Sequence, residues 1–414
     1  MQEQTIIKQD KEYREYVKAV VENFRTNGKK TVVYFCDCYY PVVDGVIKVL
    51  ENHAKNICNT YNVVIIAPKH KHRIIRDHND FLLVGVSSMY FRFVNYDLAF
   101  PKLDQRLKPL LDSLKIDVIH SHSPFTLGAY AAKYAKKHGI PFVMTMHSQY
   151  KLDFMRYVKS EKVAMMLTKN LVKVFNQSTE TWTMHEKAAE TLRNYGYTGD
   201  IYFMPNATDY ERPQNLDELR KIGRESFNVP PDTKVLLFVG RLVKQKNIFM
   251  IADSLKGLKE RGVKFKAIFV GDGPDEGALR AKIEENGVLP DTIFTGRIDS
   301  REELSKIYAT SDLFLFPSVY DTSSIVQIEA AGHNVPGVFI KDTVTANTIT
   351  DNVTGFLCEN NLEDFTNTVA TALSDDQNLK AIGKQAGEKL YVTWVTLSKR
   401  IIDRYEYLIK ENQK

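Results

Sequence analysis

The order of hydrophobic segments constrains this chain most. From residue 31, short β-rich runs alternate with longer amphipathic ones. "TVVYFC" (31–36), "YNVVIIAP" (61–68), "IDVIHSH" (116–122) and "PFVMTMH" (141–147) read as strands, while 45–58 and 126–138 carry apolar residues at helical spacing. Strands that alternate with helices pair in parallel and need helices on both faces of the sheet. Near 205 the rhythm breaks at "MPNATDYERPQN", a cluster of turn formers and charge. A second series follows: "KVLLFVG" (234–240), helix 247–261, "FKAIFVGDG" (265–273), helix 275–286, "DTIFTG" (291–296), helix 301–310, "DLFLFP" (312–317), helix 325–333 and "PGVFI" (336–340). The pattern predicts an α/β chain of two doubly wound domains in tandem, 31–207 and 208–385. Ligands of such sheets bind outside the carboxyl ends of the strands, and two such edges facing each other form a cleft.

Both ends extend this frame. Residues 9–26 place Tyr13, Tyr16, Val17, Val20, Val21 and Phe24 on one helical face, and Gly28 stops the helix. Residues 1–30 are therefore an N-terminal helical extension. "LYVTWVTLSKRIIDRYEYLI" has helical spacing too. It predicts a C-terminal helix, 386–414, that crosses back to the first domain.

Composition excludes several classes. With 43% hydrophobic and 26% charged residues the 414-residue chain is globular. A net charge of +5 excludes nucleic-acid binding driven by overall charge. The four cysteines, Cys36, Cys38, Cys58 and Cys358, read as reduced thiols in a reducing compartment. The N-terminus is polar and no apolar run reaches the ~18 residues of a membrane span. A cytoplasmic protein is expected, with peripheral contact at the inner membrane face left open.

Two stretches in the second half carry chemistry. In "FVGRLVKQKN" (238–247) a strand ends at Gly240, Arg241 stands just beyond it, and Lys246 and Asn247 open the next helix. A guanidinium fork and a compact ammonium at a strand end suit a diphosphate. A surface loop with solvated charges fits the same residues. In "YDTSSIVQIEAAG" (320–332), Ser324 and Gln327 have the spacing of a capping box. With Ser324 as the cap, the amides of Ile325, Val326 and Gln327 lack helical acceptors and form an anion site. Glu329 shares the face of Ile325 and Val326, where an acid suits sugar hydroxyls. Asp321, in the loop before the cap, faces the same space. The competing reading is a capped helix followed by a solvated glutamate.

In the first half, His120, His122 and His147 stand at strand carboxyl ends. His147 suits proton transfer or the orientation of a polar group, its ordinary pKa being near neutral. A zinc site at His120-x-His122 lacks carboxylate or cysteine partners of matching spacing. In "YYPVVDGV" (39–46), Gly45 near the helix start allows the backbone to approach a phosphate or an acceptor. The stretch 150–175 holds six basic and two acidic residues among apolar and aromatic ones, and "KHKHRIIR" (69–76) adds charge. Such a surface suits anionic lipid headgroups, and a solvated helix face over a core is the alternative.

Taken in order, these motifs resemble the family 4 glycosyltransferases of the GT-B type, over roughly residues 31–405. The resemblance rests on Gly240-Arg241…Lys246-Asn247, "GDGP" at 271–274, the Glu-x7-Glu signature at Asp321 and Glu329, and "DNVTGFL" at 351–357. It implies two Rossmann-like domains facing across a cleft. It also implies a nucleotide-diphosphate sugar donor, a UDP-sugar, in the second domain, and hexose transfer with retention. Arg241 and Lys246 would bind the diphosphate, so no metal or other cofactor is expected. Gly45, Gly240, Ser324, Ile325, Val326 and Glu329 would complete the donor site, with Glu329 on the ribose. His147, Asp321 and Glu329 are the expected catalytic residues; Tyr39, Asp44 and His122 are the expected acceptor contacts. Asp321, Ser324, Asn334 and "VTANTIT" (344–350) depart from the family pattern. Among subgroups the chain is similar to bacterial diacylglycerol glycosyltransferases, and cell-wall and capsule transferases share many of these features. A non-catalytic partner subunit would predict a broken donor site, yet Arg241, Lys246 and Glu329 are present. An epimerase or phosphorylase on the same fold differs in its product.

Overall fold

The computed structural model describes residues 10–40, 45–69, 81–91, 96–321 and 324–414. Asp44 and most of the basic run 69–76 lie outside them. The chain divides into two units, Met1–Pro205 with Trp394–Lys414, and Asn206–Thr393.

The first unit holds β1 (Lys30–Phe35), β2 (Tyr61–Pro68), β3 (Leu82–Val86), β4 (Ser88–Phe91), β5 (Tyr96–Ala99), β6 (Val118–Ser121), β7 (Phe142–Thr145), β8 (Glu180–Thr183) and β9 (Ile201–Phe203). Strands β4 and β5 form a separate antiparallel pair. The rest form one parallel sheet in the order β3-β2-β1-β6-β7-β8-β9. All of β2 is buried, as a central strand covered on both faces should be, and it reads as a nearly unbroken apolar run. Its Asn62 is accommodated because its Nδ2 donates to Phe24 O at 3.0 Å. That bond ties the helix Asp10–Thr26 to the sheet, and Tyr16, Val17, Val20 and Phe24 pack on the core.

The helix Trp394–Asn412 belongs to this unit. It buries Trp394, Leu397, Ile401, Tyr405, Leu408 and Ile409, one face at helical spacing. Residues 386–393 stay with the second unit. The preceding helix, Asp376–Lys389, is held there by close approach: a Cβ on Gly383 would lie 2.1 Å from Asn334 O. Asn334 itself has φ 58°, a left-handed conformation that Asn tolerates better than most residues. The stretch 150–175 forms two helices, Tyr150–Met155 and Glu161–Phe175, the second capped by Ser160.

The second unit holds β10 (Lys234–Val239), β11 (Phe265–Val270), β12 (Thr292–Gly296), β13 (Leu313–Phe316), β14 (Gly337–Ile340) and β15 (Phe356–Cys358). They form a parallel sheet in the order β12-β11-β10-β13-β14-β15. The chain runs outward from β10 to β12, then returns to the other side of β10. The strand order therefore reverses between β10 and β13, and the crevice at their carboxyl ends is where a doubly wound sheet binds its ligand. In the first sheet the reversal falls between β1 and β6. Both units are Rossmann-like.

Candidate active site

The loops after β10 and β13 bring the second unit's candidate residues together. The 240–246 loop rests on the "GDGP" turn. Leu242 N donates to Asp272 O at 2.8 Å, and Lys244 N to Asp275 Oδ2 at 2.7 Å. The contact requires glycine: a Cβ on Gly271 would sit 2.1 Å from Gly240 O, and one on Gly273 would sit 2.2 Å from Leu242 O. Asn247, at φ 54°, donates from Nδ2 to Pro317 O at 2.9 Å and so joins this loop to the one after β13.

Lys246 Nζ meets both oxygens of Asp321, at 2.7 and 2.8 Å, and lies over the Phe316 ring. Ser318 Oγ donates to the same carboxylate at 2.5 Å. Arg241 is exposed and has no partner among the described residues. Lys246 and Asp321 thus share one space, as the sequence predicts, but they occupy each other.

Ser324 stands at the cap position of the helix Ile325–Gly332 with extended backbone, yet its hydroxyl caps nothing. The expected capping box is absent because Gln327 Nε2 donates to Thr348 Oγ1 at 2.9 Å. Gln327 N is not free either, since it donates to Ser324 O at 3.2 Å. The N–H groups of Ile325 and Val326 have no acceptor among the described residues. The helix end presents two amides to an anion where the sequence suggests three.

The solvated-glutamate reading of Glu329 is wrong. Glu329 is 3% exposed, takes the Tyr308 hydroxyl on Oε2 at 2.8 Å and faces Arg301 at 3.3 Å on Oε1. Arg301 also bonds Asp209 at 2.8 Å. Arg301 and Tyr308 escaped the sequence reading because their partner is more than 20 residues away and no local spacing marks the contact.

The first unit's candidates are arranged differently. His147 is partly exposed, and its Nε2 lies 2.9 Å from His122 Nδ1 with the rings stacked. Burial pushes the His147 pKa down to about 3, so the near-neutral value expected from sequence gives way to a neutral imidazole. His122 is 1% exposed and cannot serve as the expected acceptor contact; it holds His147 instead. Tyr39 donates to Glu51 Oε1 at 2.7 Å, which commits its hydroxyl to the fold. Gly45 opens the helix Gly45–Ile57, and a Cβ there would meet nothing within 4 Å. Asp37, missed in the sequence, closes the start of the helix Thr126–His138: it accepts from Leu127 N at 2.8 Å and Thr126 Oγ1 at 2.9 Å. That helix end is taken.

Comparison with known proteins agrees with both halves. Residues 220–389 match the model of the glycosyl transferases group 1, and residues 43–212 that of Glycosyltransferase Family 4. The chain is 24% identical to the alpha-monoglucosyldiacylglycerol synthase of Streptococcus pneumoniae over 78% of this chain and 74% of that one. It is 26% identical to a GDP-mannose-dependent alpha-mannosyltransferase of Corynebacterium glutamicum, over 92% and 90%. The structure of Anabaena HepE in complex with UDP-glucose superposes with a TM-score of 0.72 at 16% identity, covering 91% of this chain and 99% of that one.

Proposed function

The chain belongs to the family 4 glycosyltransferases of the GT-B type, and on that premise we propose that it moves a hexose from a UDP-sugar to a membrane lipid such as diacylglycerol, with retention at the anomeric carbon. One observation carries the donor half. Arg241, Lys246, the amides of Ile325 and Val326, and Glu329 all follow the two strands that flank the reversal of the second sheet. A diphosphate needs cations and N–H donors; a ribose needs a fixed acceptor. This set supplies both without a metal ion.

In the proposed reaction Arg241 and Lys246 take the charge that develops on the departing diphosphate. The pair of amides holds phosphate oxygens, and Gly240 and Ser324 shape the two loops. Glu329 keeps a fixed orientation through Tyr308 and Arg301 and accepts from the ribose. Asp321 releases Lys246 to the diphosphate and turns to the transferred sugar. His147, neutral and aligned by His122, contributes to the transfer step. Gly45 leaves room for phosphate or acceptor. Tyr39 lines the acceptor side in this reading, through its ring.

The lipid acceptor rests on the likeness to the diacylglycerol enzyme and on the first unit's surface. Leu152, Met155, Tyr157, Val163 and Met166 are exposed among Lys151, Arg156, Lys159 and Lys162. That mixture suits peripheral contact with an anionic membrane, on its cytoplasmic face. A saccharide acceptor of the cell envelope is the second reading.

The residue assignment is tested by His147→Ala, Lys246→Ala and Glu329→Ala, with nucleotide release as the readout. Each should sharply lower transfer; near-normal turnover in all three would sink it.

A further inference from the structure

Three imidazoles meet inside the first unit, apart from the donor residues. His53 comes from the helix Gly45–Ile57; His120 and His122 come from the end of β6. Residues two apart on a strand point to one face, so the last two rings lie side by side, 4.4 Å between centroids. All three are at most 2% exposed. Each offers a ring nitrogen within 4.8 Å of those of the other two.

Their hydrogen bonds are incomplete. His53 Nδ1 and His122 Nε2 are buried and have no partner among the described residues. A buried polar atom left bare is costly and calls for a water or an ion. The bonds that do exist are compatible with neutral imidazoles that donate through Nδ1. His120 Nδ1 lies 2.6 Å from Tyr405 Oη, His120 Nε2 lies 2.7 Å from Thr145 Oγ1, and His122 Nδ1 lies 2.9 Å from His147 Nε2. In the tautomers where Nδ1–H donates in His120 and His122, both Nε2 atoms carry lone pairs. Burial holds all three imidazoles well below their ordinary pKa, so these lone pairs are not protonated at neutral pH.

We propose that His53 Nδ1, His120 Nε2 and His122 Nε2 form a binding site for a transition-metal ion of the zinc type. Three imidazoles with a water or hydroxide in the fourth position are a sufficient ligand set for zinc. Bond lengths of about 2.0–2.1 Å require the rings to turn inward slightly. His120 exchanges its Thr145 contact for the ion. Tyr405 and His147 already hold the opposite nitrogens, and a ligating histidine needs such a partner to fix its ring. The ion would link the helix after the Gly45 turn to the end of β6 and brace His147 through His122. Sequence spacing missed the site because His53 is 67 positions from His120. It takes no part in holding the diphosphate and does not depend on the transfer reaction.

The test uses the full chain without an affinity tag, stripped with a chelator and checked as folded by circular dichroism. Titration with Zn2+ should show one tight site and raise Tm by about 5 °C. Co2+ should give the visible bands of a tetrahedral site. His53→Gln, folded by the same criterion, should lose both effects. Should that variant not fold, the wild-type titration decides alone. A folded wild-type chain that takes up no zinc at micromolar concentration overturns the proposal and leaves a buried water between the orphan nitrogens. Unchanged binding in His53→Gln overturns it as well.

Discussion

Lys246 and Asp321 form a two-pronged ion pair, 75 residues apart in sequence, at the carboxyl ends of β10 and β13. Each is only partly exposed. The pair stores the ammonium in position while competing with any phosphate for it. The two substitutions should therefore act in opposite directions. Lys246→Ala should weaken UDP binding and lower kcat/KM about 10²-fold or more. Asp321→Asn should tighten UDP binding by up to about fivefold, since the carboxylate no longer competes, while lowering transfer. Calorimetric titration with UDP checks this, and Asp321→Asn weakening UDP as much as Lys246→Ala would contradict it.

Glu329 depends on Tyr308 more than on Arg301. Tyr308 is fully buried, whereas Arg301 is 41% exposed. Glu329→Ala leaves the buried hydroxyl bare and should destabilise the second domain by about 2–4 kcal/mol. Arg301→Ala should cost less than Glu329→Ala, because the Arg301 side chain is 41% exposed and water can take over part of its contact. Urea unfolding of both variants ranks the two contacts.

Much of this arrangement was legible in the sequence. The runs at 61–68 and 234–240 gave strands because central parallel strands are buried on both faces, and β2 and β10 follow them closely. Arg241, Lys246 and Asp321 were found because glycine and charge cluster where strands end. The misses share one cause. Gln327 with Thr348, Asn247 with Pro317, and Glu329 with Tyr308 are contacts between separate elements, made by side-chain reach after packing. A capping box is a local rule, and the hydroxyl of Thr348 overrode it. The shift of His147 likewise follows from burial, which spacing does not reveal.

His333 gives the second domain a pH dependence. Its Nε2 lies 2.6 Å from Ser305 Oγ and its Nδ1 2.7 Å from Glu329 O, and burial pushes its pKa down to about 4. The unfolded chain takes the proton near pH 6.5, so between pH 6.5 and 4 the unfolded state binds more protons. Stability therefore falls as pH falls through that window, by about 2 kcal/mol from pH 7 to pH 5. His333→Gln should flatten this slope in denaturant melts at the two pH values.

Membrane contact is a separate matter. Replacing Lys151, Arg156 and Lys159 with glutamine should reduce binding to anionic liposomes about tenfold or more. Cosedimentation at low and physiological salt measures it. Lys151 also pairs with Glu161, so its share should be smaller than that of Lys159.

The central claim is transfer from a nucleotide-diphosphate sugar to an acceptor. The most direct measurement incubates the purified chain with UDP-sugars and diacylglycerol vesicles or sugar acceptors, then identifies both products. The account predicts free UDP in step with a glycosylated lipid that keeps the donor's anomeric configuration, and loss of both in Lys246→Ala. An epimerised nucleotide sugar, a sugar phosphate, or UDP release equal in wild type and Lys246→Ala would contradict it.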